Sequence, residues 1–316
     1  MYHPIPWPDL TTLSRPLLGA NGTEAMTALL ATGKEPPVDY MKVGPFMGIE
    51  AIRALSRTYP LMLHLDDSLS GHVPLPGDLV ARLQDLVRLT GTPWTSEHLG
   101  FGVAEITLDE SLQVQALSLG LERDVARANI VRNAGALRAA LPVPLLLENV
   151  PLYPNVVHRH ITRPAFIREV LDLTGCDLLL DLAHARVTSS LLGMTPEAYL
   201  EALPLERVRE IHLSGPRAVS TLPAEQQRLL QDNARTVASE LAFDDGWLVD
   251  VHDTMTKVDY GLLAWTLARC RPLAISLEYY RVPDRLSEQL LRLRDIIQNA
   301  GQPPAPLTPT HETQAS

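Results

Sequence analysis

Cysteine is scarce. The 316 residues hold two, Cys176 and Cys270, so one disulfide is arithmetically possible but no disulfide framework is implied. Long apolar runs are missing too. No stretch reaches the 18 or more residues that a membrane-spanning helix needs, and no partner membrane is expected. No basic segment followed by an apolar run opens the chain, which leaves the cytoplasm as the expected location. Basic charge is in deficit, with 27 Lys and Arg against 37 Asp and Glu and a net charge of −10. Binding to nucleic acid or to anionic membrane needs a basic surface, so neither is an expected partner. The glycine-rich phosphate loop of a dinucleotide-binding sheet is absent: "KVGPFMG", at 42–48, is not one. Nor does any Ser or Cys sit with the spacing of a nucleophile elbow.

What is present is material for one large α/β domain. Hydrophobic residues make up 46% of the chain, and the length suits a single barrel. Residues 1–37 carry several prolines and little period, and read as a leader packing on the domain. Residues 301–316 are Pro/Thr-rich and read as a disordered tail. Between them, short apolar runs predict strands at 38–44, 60–65, 93–98, 144–149, 177–182, 208–213, 247–251 and 273–278. Longer patterns with apolar spacing of three to four predict helices at 46–58, 77–90, 112–140, 163–173, 196–202, 222–241, 259–269 and 283–299. Eight alternating strand–helix pairs predict a parallel sheet, and eight is the number that closes a (β/α)8 barrel over residues 38–300. An open doubly wound sheet is the alternative.

The stretch "LLLDLAHARV", 178–187, places Asp181 and His184 three residues apart where an apolar strand runs out. A buried strand has no structural need for either. The same pattern recurs on strand after strand: His64, Glu97 and His98, Glu148 and Asn149, His212, Asp250 and His252, Glu278. In a parallel barrel these C-terminal ends meet at one rim, where active sites are built. So many carboxylates brought together at low effective dielectric would repel strongly, and cations must offset that. The expected ligands are His64, His98, Glu148, Asp181, His184, His212, Asp250, His252 and Glu278. These nitrogen and oxygen donors, without thiolate, suit iron, manganese or zinc rather than an iron–sulfur cluster, and nine exceed the needs of one ion. Two or three ions with bridging carboxylates is the natural count. Lys42, Glu97, Asn149, Asp253 and Arg217 are expected to support the ligands or touch substrate. His158 and His160 read as exposed loop residues, and Cys176 and Cys270 as buried packing toward the opposite face.

At these residues the chain resembles two groups of xylose-isomerase-like barrels. The order His, His, Glu, Asp-x-x-His, His, Asp-x-His, Glu is similar to the trinuclear zinc site of endonuclease IV. The wording "SEHLGFG", "LLLENVPLY", "EIHLSG", "LVDVHDT" and "SLEYYR" resembles more closely the multinuclear iron enzymes of ribosomal-peptide modification, which include the methanobactin-biosynthesis oxidase. That family's first strand usually ends in an acidic, Asn-containing stretch, whereas "KVGPF" stands at the first strand expected here. Thr254 replaces a family His. The resemblance implies two or three iron ions (Fe2+/Fe3+) and dioxygen-dependent oxidation of a cysteine in a precursor peptide or small thiol. It also implies a small partner protein that delivers the peptide. It further implies one ion on His64, His98 and Glu148, a second on Glu148, Asp181, His212 and Glu278, and a third on His184, Asp250 and His252. Catalysis is expected to depend on Asp181, His212 and Glu278. A zinc- or manganese-dependent hydrolase or sugar isomerase is the alternative. A non-catalytic binding barrel fits poorly, since it has no use for an open multinuclear site.

Overall fold

The computed structural model describes residues 4–33, 35–108, 114–228, 230 and 246–300. Among these residues the strands are β1 (Leu17–Asn21), β2 (Tyr40–Val43), β3 (Leu61–His64), β4 (Thr95–His98), β5 (Ile106–Leu108) and β6 (Val114–Ala116). They continue as β7 (Leu145–Glu148), β8 (Asp177–Asp181), β9 (Val208–Leu213), β10 (Gly215–Ala218), β11 (Leu248–Asp253) and β12 (Ala274–Leu277). Eight of them, β1, β2, β3, β4, β7, β8, β9 and β12, close in that order into an all-parallel barrel. Their residues are buried almost throughout, as a sheet covered by helices on its outer face requires.

The helices are α1 (Glu24–Ala31), α2 (Ile49–Leu55), α3 (Gly77–Thr90), α4 (Arg123–Ala140), α5 (Pro164–Thr174), α6 (Leu182–Leu191), α7 (Pro196–Ala202), α8 (Lys257–Leu267) and α9 (Pro283–Asn299). Their ends follow local chemistry. Pro164 opens α5, where its missing N–H costs nothing, and Gly175 closes it in the left-handed region at φ 68°. The helix α5 buries Phe166, Ile167, Val170 and Leu171 on one face. No helix among the described residues is long and apolar enough to cross a membrane.

Three expectations need correction. The strand over 247–251 forms, as β11, but outside the barrel: it pairs antiparallel with β10. The missing barrel strand is β1, within the segment expected to be a leader. It escapes a hydropathy reading because "LLGAN" is short and glycine-broken. Gly19 is required there, since a Cβ would lie 2.3 Å from the Tyr40 ring. β1 also supplies the Asn-containing first-strand end that "KVGPF" lacked. Finally, the long helix expected over 112–140 is strand β6 followed by α4, because Val114–Ala116 pairs antiparallel with Ile106–Leu108. The helix expected at 222–241 falls mostly outside the described residues, as does the tail at 301–316.

Residues ahead of β1 do pack on the barrel, at its N-terminal end. Trp7, Leu10 and Leu13 cover a cluster of Leu17, Tyr40, Met62, Trp94, Leu146, Leu179 and Ala274. The Trp7 ring lies 5.1 Å from Tyr40 and 6.1 Å from Trp94, and its Nε1 donates to the Leu61 carbonyl at 3.2 Å. One end of the barrel is therefore plugged with apolar and aromatic groups, and the polar chemistry is left to the other.

Candidate metal centre

Parallel pairing brings the last residues of adjacent strands side by side. His98 is in register with Glu148, and Asp181 with His212. His64 ends β3 and Glu278 follows β12 directly. Asp181 does two jobs at the β8–α6 junction. Its Oδ1 caps α6 by accepting from the His184 N–H at 2.6 Å, which fixes His184 in the first turn facing the rim. Its Oδ2 is buried with no hydrogen-bond partner. A capping Asp and a candidate ligand Asp are here the same residue.

Glu148 stands at the centre. Its Oε2 lies 3.5 Å from His64 Nε2 and 4.0 Å from His98 Nε2, and its Oε1 lies 3.4 Å from both His184 Nδ1 and His212 Nδ1. His212 Nδ1 is 3.2 Å from Glu278 Oε1, and Glu278 Oε2 is 3.1 Å from His252 Nε2. Asp250, on β11, reaches in from outside the barrel wall, so that its Oδ2 sits 3.4 Å from His184 Nε2 and 3.4 Å from His252 Nε2. The structure thus brings all nine expected ligands into one connected cluster.

Three subsets have donor atoms within 4.8 Å of one another: His64, His98 and Glu148; Glu148, Asp181 and His184; Asp181, His212 and Glu278. Glu148 and Asp181 each belong to two subsets, so either carboxylate could be shared between neighbouring ions. The trio His184, Asp250 and His252 implied by the resemblance is not among these subsets, although Asp250 contacts both histidines.

The polar atoms test whether cations fit. Glu148 Oε2, Asp181 Oδ2 and His212 Nδ1 are buried without a hydrogen-bond partner. Leaving such groups unpaired in a protein interior is costly, and all three belong to residues of this one cluster. The electrostatics point the same way. Burial drives the Glu148 carboxyl well above its usual range, and neighbouring Asp181 and Glu278 push it further. Burial likewise raises Asp181 to about 7, against the pull of His184. Burial would lower the His252 imidazolium, but Asp250 and Glu278 outweigh it and hold it at about 9. Burial lowers His98 to about 4, helped by His184. Shifts this large, in both directions within one cluster, mark a candidate functional site.

Supporting contacts are specific. Ser96 Oγ bonds His64 Nδ1 at 2.9 Å, turning Nε2 to the cluster. The Asn149 carbonyl meets His184 Nδ1 at 2.8 Å, and Ser214 Oγ donates to Asp250 Oδ1 at 2.6 Å. His252 has φ 46°, a left-handed conformation that costs a non-glycine residue on the order of 1–3 kcal/mol. That strain sits on a candidate ligand.

The expected supporting residues divide. Lys42 is buried and pairs with Glu210 Oε1 at 3.1 Å. Glu97 turns away from the cluster and accepts the N–H groups of Asp67 and His98, both at 2.8 Å, tying the β3 loop to β4. The Asn149 side chain bonds the Asp181 backbone on both sides, at 2.9 and 3.0 Å, and so fixes the β7–β8 rim. Arg217 clasps Asp253 at 3.3 Å and the Thr254 carbonyl at 2.9 Å, holding β10 against β11. These last two brace the strand that carries Asp250 and His252, and the contacts they make are with protein.

Sequence reasoning missed four groups. Asn21 ends β1, and its Nδ2 reaches Glu278 Oε1 at 3.4 Å and Tyr280 Oη at 2.9 Å. Tyr153 Oη accepts from the Asp250 N–H at 3.0 Å. His158, expected on an exposed loop, is buried because the rings of Tyr153 and Phe101 pack on it, and its Nδ1 pairs with Asn155 Oδ1 at 2.8 Å. His160 is partly buried, at φ 68°. Glu210 lies beneath the cluster. Its signal was in "REIHL", where a residue two before an inward His must also point inward. Cys176 and Cys270 are buried free thiols.

Comparison with known proteins places the chain. A family model described as "RiPP precursor modification enzyme MbnB/TglH/ChrH" matches residues 27–298. A UPF0276 protein of Paraburkholderia phytofirmans is 30% identical over 262 residues, which is 79% of this chain and 83% of that protein. A UPF0276 protein of Bordetella pertussis is 30% identical over 226 residues, 71% of this chain and 70% of the relative. Among solved structures, D-psicose 3-epimerase of Clostridium cellulolyticum H10 superposes with TM-score 0.51 at 10% identity, covering 90% of this chain and 99% of that one. A xylose isomerase domain protein of Planctomyces limnophilus does so with TM-score 0.51 at 15% identity, covering 90% and 97%. At such identity these two show the fold alone, a xylose-isomerase-like TIM barrel. The chain belongs to the MbnB/TglH/ChrH family of RiPP precursor modification enzymes.

Proposed function

We propose, from that membership, that the chain is a multinuclear non-haem iron oxidase acting on a cysteine of a ribosomally made precursor peptide, with dioxygen as oxidant. The observation that carries the reading is one connected set of imidazoles and carboxylates, without thiolate, that holds three buried atoms with no hydrogen-bond partner, Glu148 Oε2, Asp181 Oδ2 and His212 Nδ1. Two or three ions suit a donor set in which Glu148 and Asp181 are each shared. Iron held by these donors supplies redox-active centres for dioxygen and a Lewis acid for a substrate thiolate.

The chain's own residues do the rest. Glu148 and Asp181 hold neighbouring subsets in fixed relation. Ser96, the Asn149 carbonyl and Ser214 orient His64, His184 and Asp250. Phe101, Tyr153 and His158 pack edge to face beside His98, with centroids 5.2–6.1 Å apart. Burial lowers the His158 imidazolium to about 3, so the ring is neutral at pH 7 and adds no charge to the site. We further propose that the peptide is presented by a small partner protein.

The test is reconstitution of anaerobically purified protein with ferrous iron or with zinc, followed by addition of short synthetic cysteine-containing peptides, including any encoded beside its gene. The reading expects dioxygen uptake and a mass change confined to the cysteine, with the iron-loaded enzyme only. Turnover with zinc, or turnover without dioxygen, would favour a hydrolase or isomerase instead.

A further inference from the structure

Most of the candidate centre is sealed, and it opens at two histidines. The His98 side chain is 32% exposed and the His252 side chain 31%, whereas none of the other seven expected ligands exceeds 15%. Beneath the cluster the polar groups are taken up with one another: Glu210 accepts from Lys42 Nζ at 3.1 Å, Ser276 Oγ at 3.2 Å and Trp94 Nε1 at 2.8 Å. A substrate therefore meets the centre on the side of His98 and His252.

Each of these two histidines has an aromatic ring beside it. Phe101 lies 6.1 Å from His98 and is itself buried. Tyr280 meets His252 edge to face at 5.0 Å, yet 43% of Tyr280 is exposed. Of the two rings, only Tyr280 is within a substrate's reach, and it brings a hydroxyl.

That hydroxyl is held in one sense. Asn21 Nδ2 reaches Tyr280 Oη at 2.9 Å and Glu278 Oε1 at 3.4 Å. The Glu278 carboxylate requires a donor, so the NH2 of Asn21 is on this side, and an amide NH2 cannot accept. Oη is therefore the acceptor in the Asn21 contact, and the phenol proton points elsewhere. Among the described residues that proton meets no acceptor. A rigid ring with one free donor, at the edge of an otherwise closed centre, is the kind of polar group that fixes how a ligand lies.

We infer that Tyr280 is a substrate-contacting residue: its O–H donates a hydrogen bond to a backbone carbonyl of the cysteine peptide as the thiol reaches the centre. Every peptide carries such a carbonyl beside its cysteine, so the contact selects a peptide over a bare thiol rather than one sequence over another. Asn21 sets the direction of the donation by occupying the phenol oxygen. The inference rests on the reading of the chain as an enzyme that takes a peptide cysteine at this centre.

The test uses the full chain loaded with cobalt(II), whose thiolate complexes absorb in the near ultraviolet, and reads binding without turnover. Two probes are titrated: N-acetylcysteine methylamide, which carries backbone carbonyls, and ethanethiol, which carries none. Wild type is expected to bind the amide more tightly. Tyr280→Phe is expected to weaken the amide about 3- to 10-fold, as loss of one neutral hydrogen bond does, and to leave ethanethiol unchanged. An equal loss for both probes would make Tyr280 a mere support of His252 and overturn the inference, as would unchanged affinity for the amide. Should Tyr280→Phe fail to fold, wild type still decides, because equal affinity for the two probes would overturn the inference by itself. A wild-type chain that takes up no cobalt, or shows no thiolate band with either probe, would instead bring down the reading of the centre as a thiol site, and this inference with it.

Discussion

Asp250 Oδ2 lies 3.4 Å from His184 Nε2, although the two residues belong to different layers of the protein. His184 sits on α6 directly behind barrel strand β8. Asp250 sits on β11, which among the described residues pairs with β10 and stands outside the barrel wall. The rim is therefore completed by a two-stranded flap. Its Asp250 and His252 reach the cluster from strand β11, which pairs antiparallel with β10 and is clasped to it by Arg217 and Asp253.

That clasp gives the first prediction. Arg217→Ala should leave the barrel standing, since the Arg217–Asp253 pair is partly exposed and such pairs contribute about 0–1 kcal/mol. It should loosen Asp250 and His252 and so lower metal loading. The measurement is metal per protein alongside the thermal midpoint. Unchanged metal content would show that the clasp does not position these two ligands.

The central carboxylates give the second. Without metal, burying Asp181 beside Asp250 and Glu278 is unfavourable. Asp181→Asn removes that charge while keeping an oxygen to cap α6, so the metal-free variant should be at least as stable as wild type. It should lose most of the stabilisation that metal confers, which for a ligand at 100 times its Kd is about 2.7 kcal/mol. Differential scanning calorimetry with and without metal decides. A variant that keeps the full metal-induced shift would exclude Asp181 as a ligand. Under turnover conditions, His212→Ala and Asp181→Ala should both be inactive while folded.

The pH dependence of the metal-free protein follows from the direction of each shift. His252 is raised from 6.5 to about 9, so its contribution is present below pH 6.5 and is lost as pH rises through 9. Asp181 is raised from 3.8 to about 7; the folded state favours its protonated form, and stability on its account falls between pH 3.8 and 7. His98, lowered to about 4, acts in the opposite sense only between pH 4 and 6.5. Above pH 6.5 these groups therefore make the metal-free protein less stable as pH rises. Metal must displace the same protons, so its affinity should increase over that window. Thermal midpoints at pH 6.5 and 8.5, with and without metal, should diverge as pH rises. Convergence would contradict the assignment.

The opposite end of the barrel should be separable from the chemistry. Trp7→Ala removes a partly buried ring from the plug over Tyr40 and Trp94 and should cost about 2 kcal/mol, less than the 3–5 kcal/mol of a fully buried tryptophan. Metal content should not change, as read by elemental analysis of the purified variant. Metal loss in a folded variant would mean that the plug is coupled to the rim through the Trp94–Glu210 contact.

The rim was legible in the sequence because parallel strands all point their C-terminal ends one way. Once "LMLH", "TSEH", "LLLE", "LLLD" and "EIHL" are read as strands, their polar last residues must converge. What was not legible is which strand belongs to which sheet. "WLVDV" has the hydropathy of a barrel strand, and only its pairing with β10 reveals the flap. Conversely, "LLGAN" carries too few apolar residues to announce itself, and its place in the barrel depends on Gly19 making room for the distant Tyr40 ring. The error cost Asn21, whose approach to Glu278 is a contact across 257 residues of chain. The capping role of Asp181 and the inward face of Glu210 were local properties, readable from spacing alone. His158 was misjudged because loops are exposed on average, and the packing of the Phe101 and Tyr153 rings that buries this one is invisible to that average.

The central claim is that this rim holds a cluster of cations, and anomalous diffraction tests it most directly. Crystals of anaerobically prepared, iron-loaded protein should show two or three anomalous peaks at the iron edge. They should lie about 2.0–2.3 Å from Glu148 Oε2, Asp181 Oδ2 and His212 Nδ1, with Glu148 or Asp181 shared between neighbouring peaks. Empty density among those three atoms in a fully folded, iron-treated crystal would contradict the account.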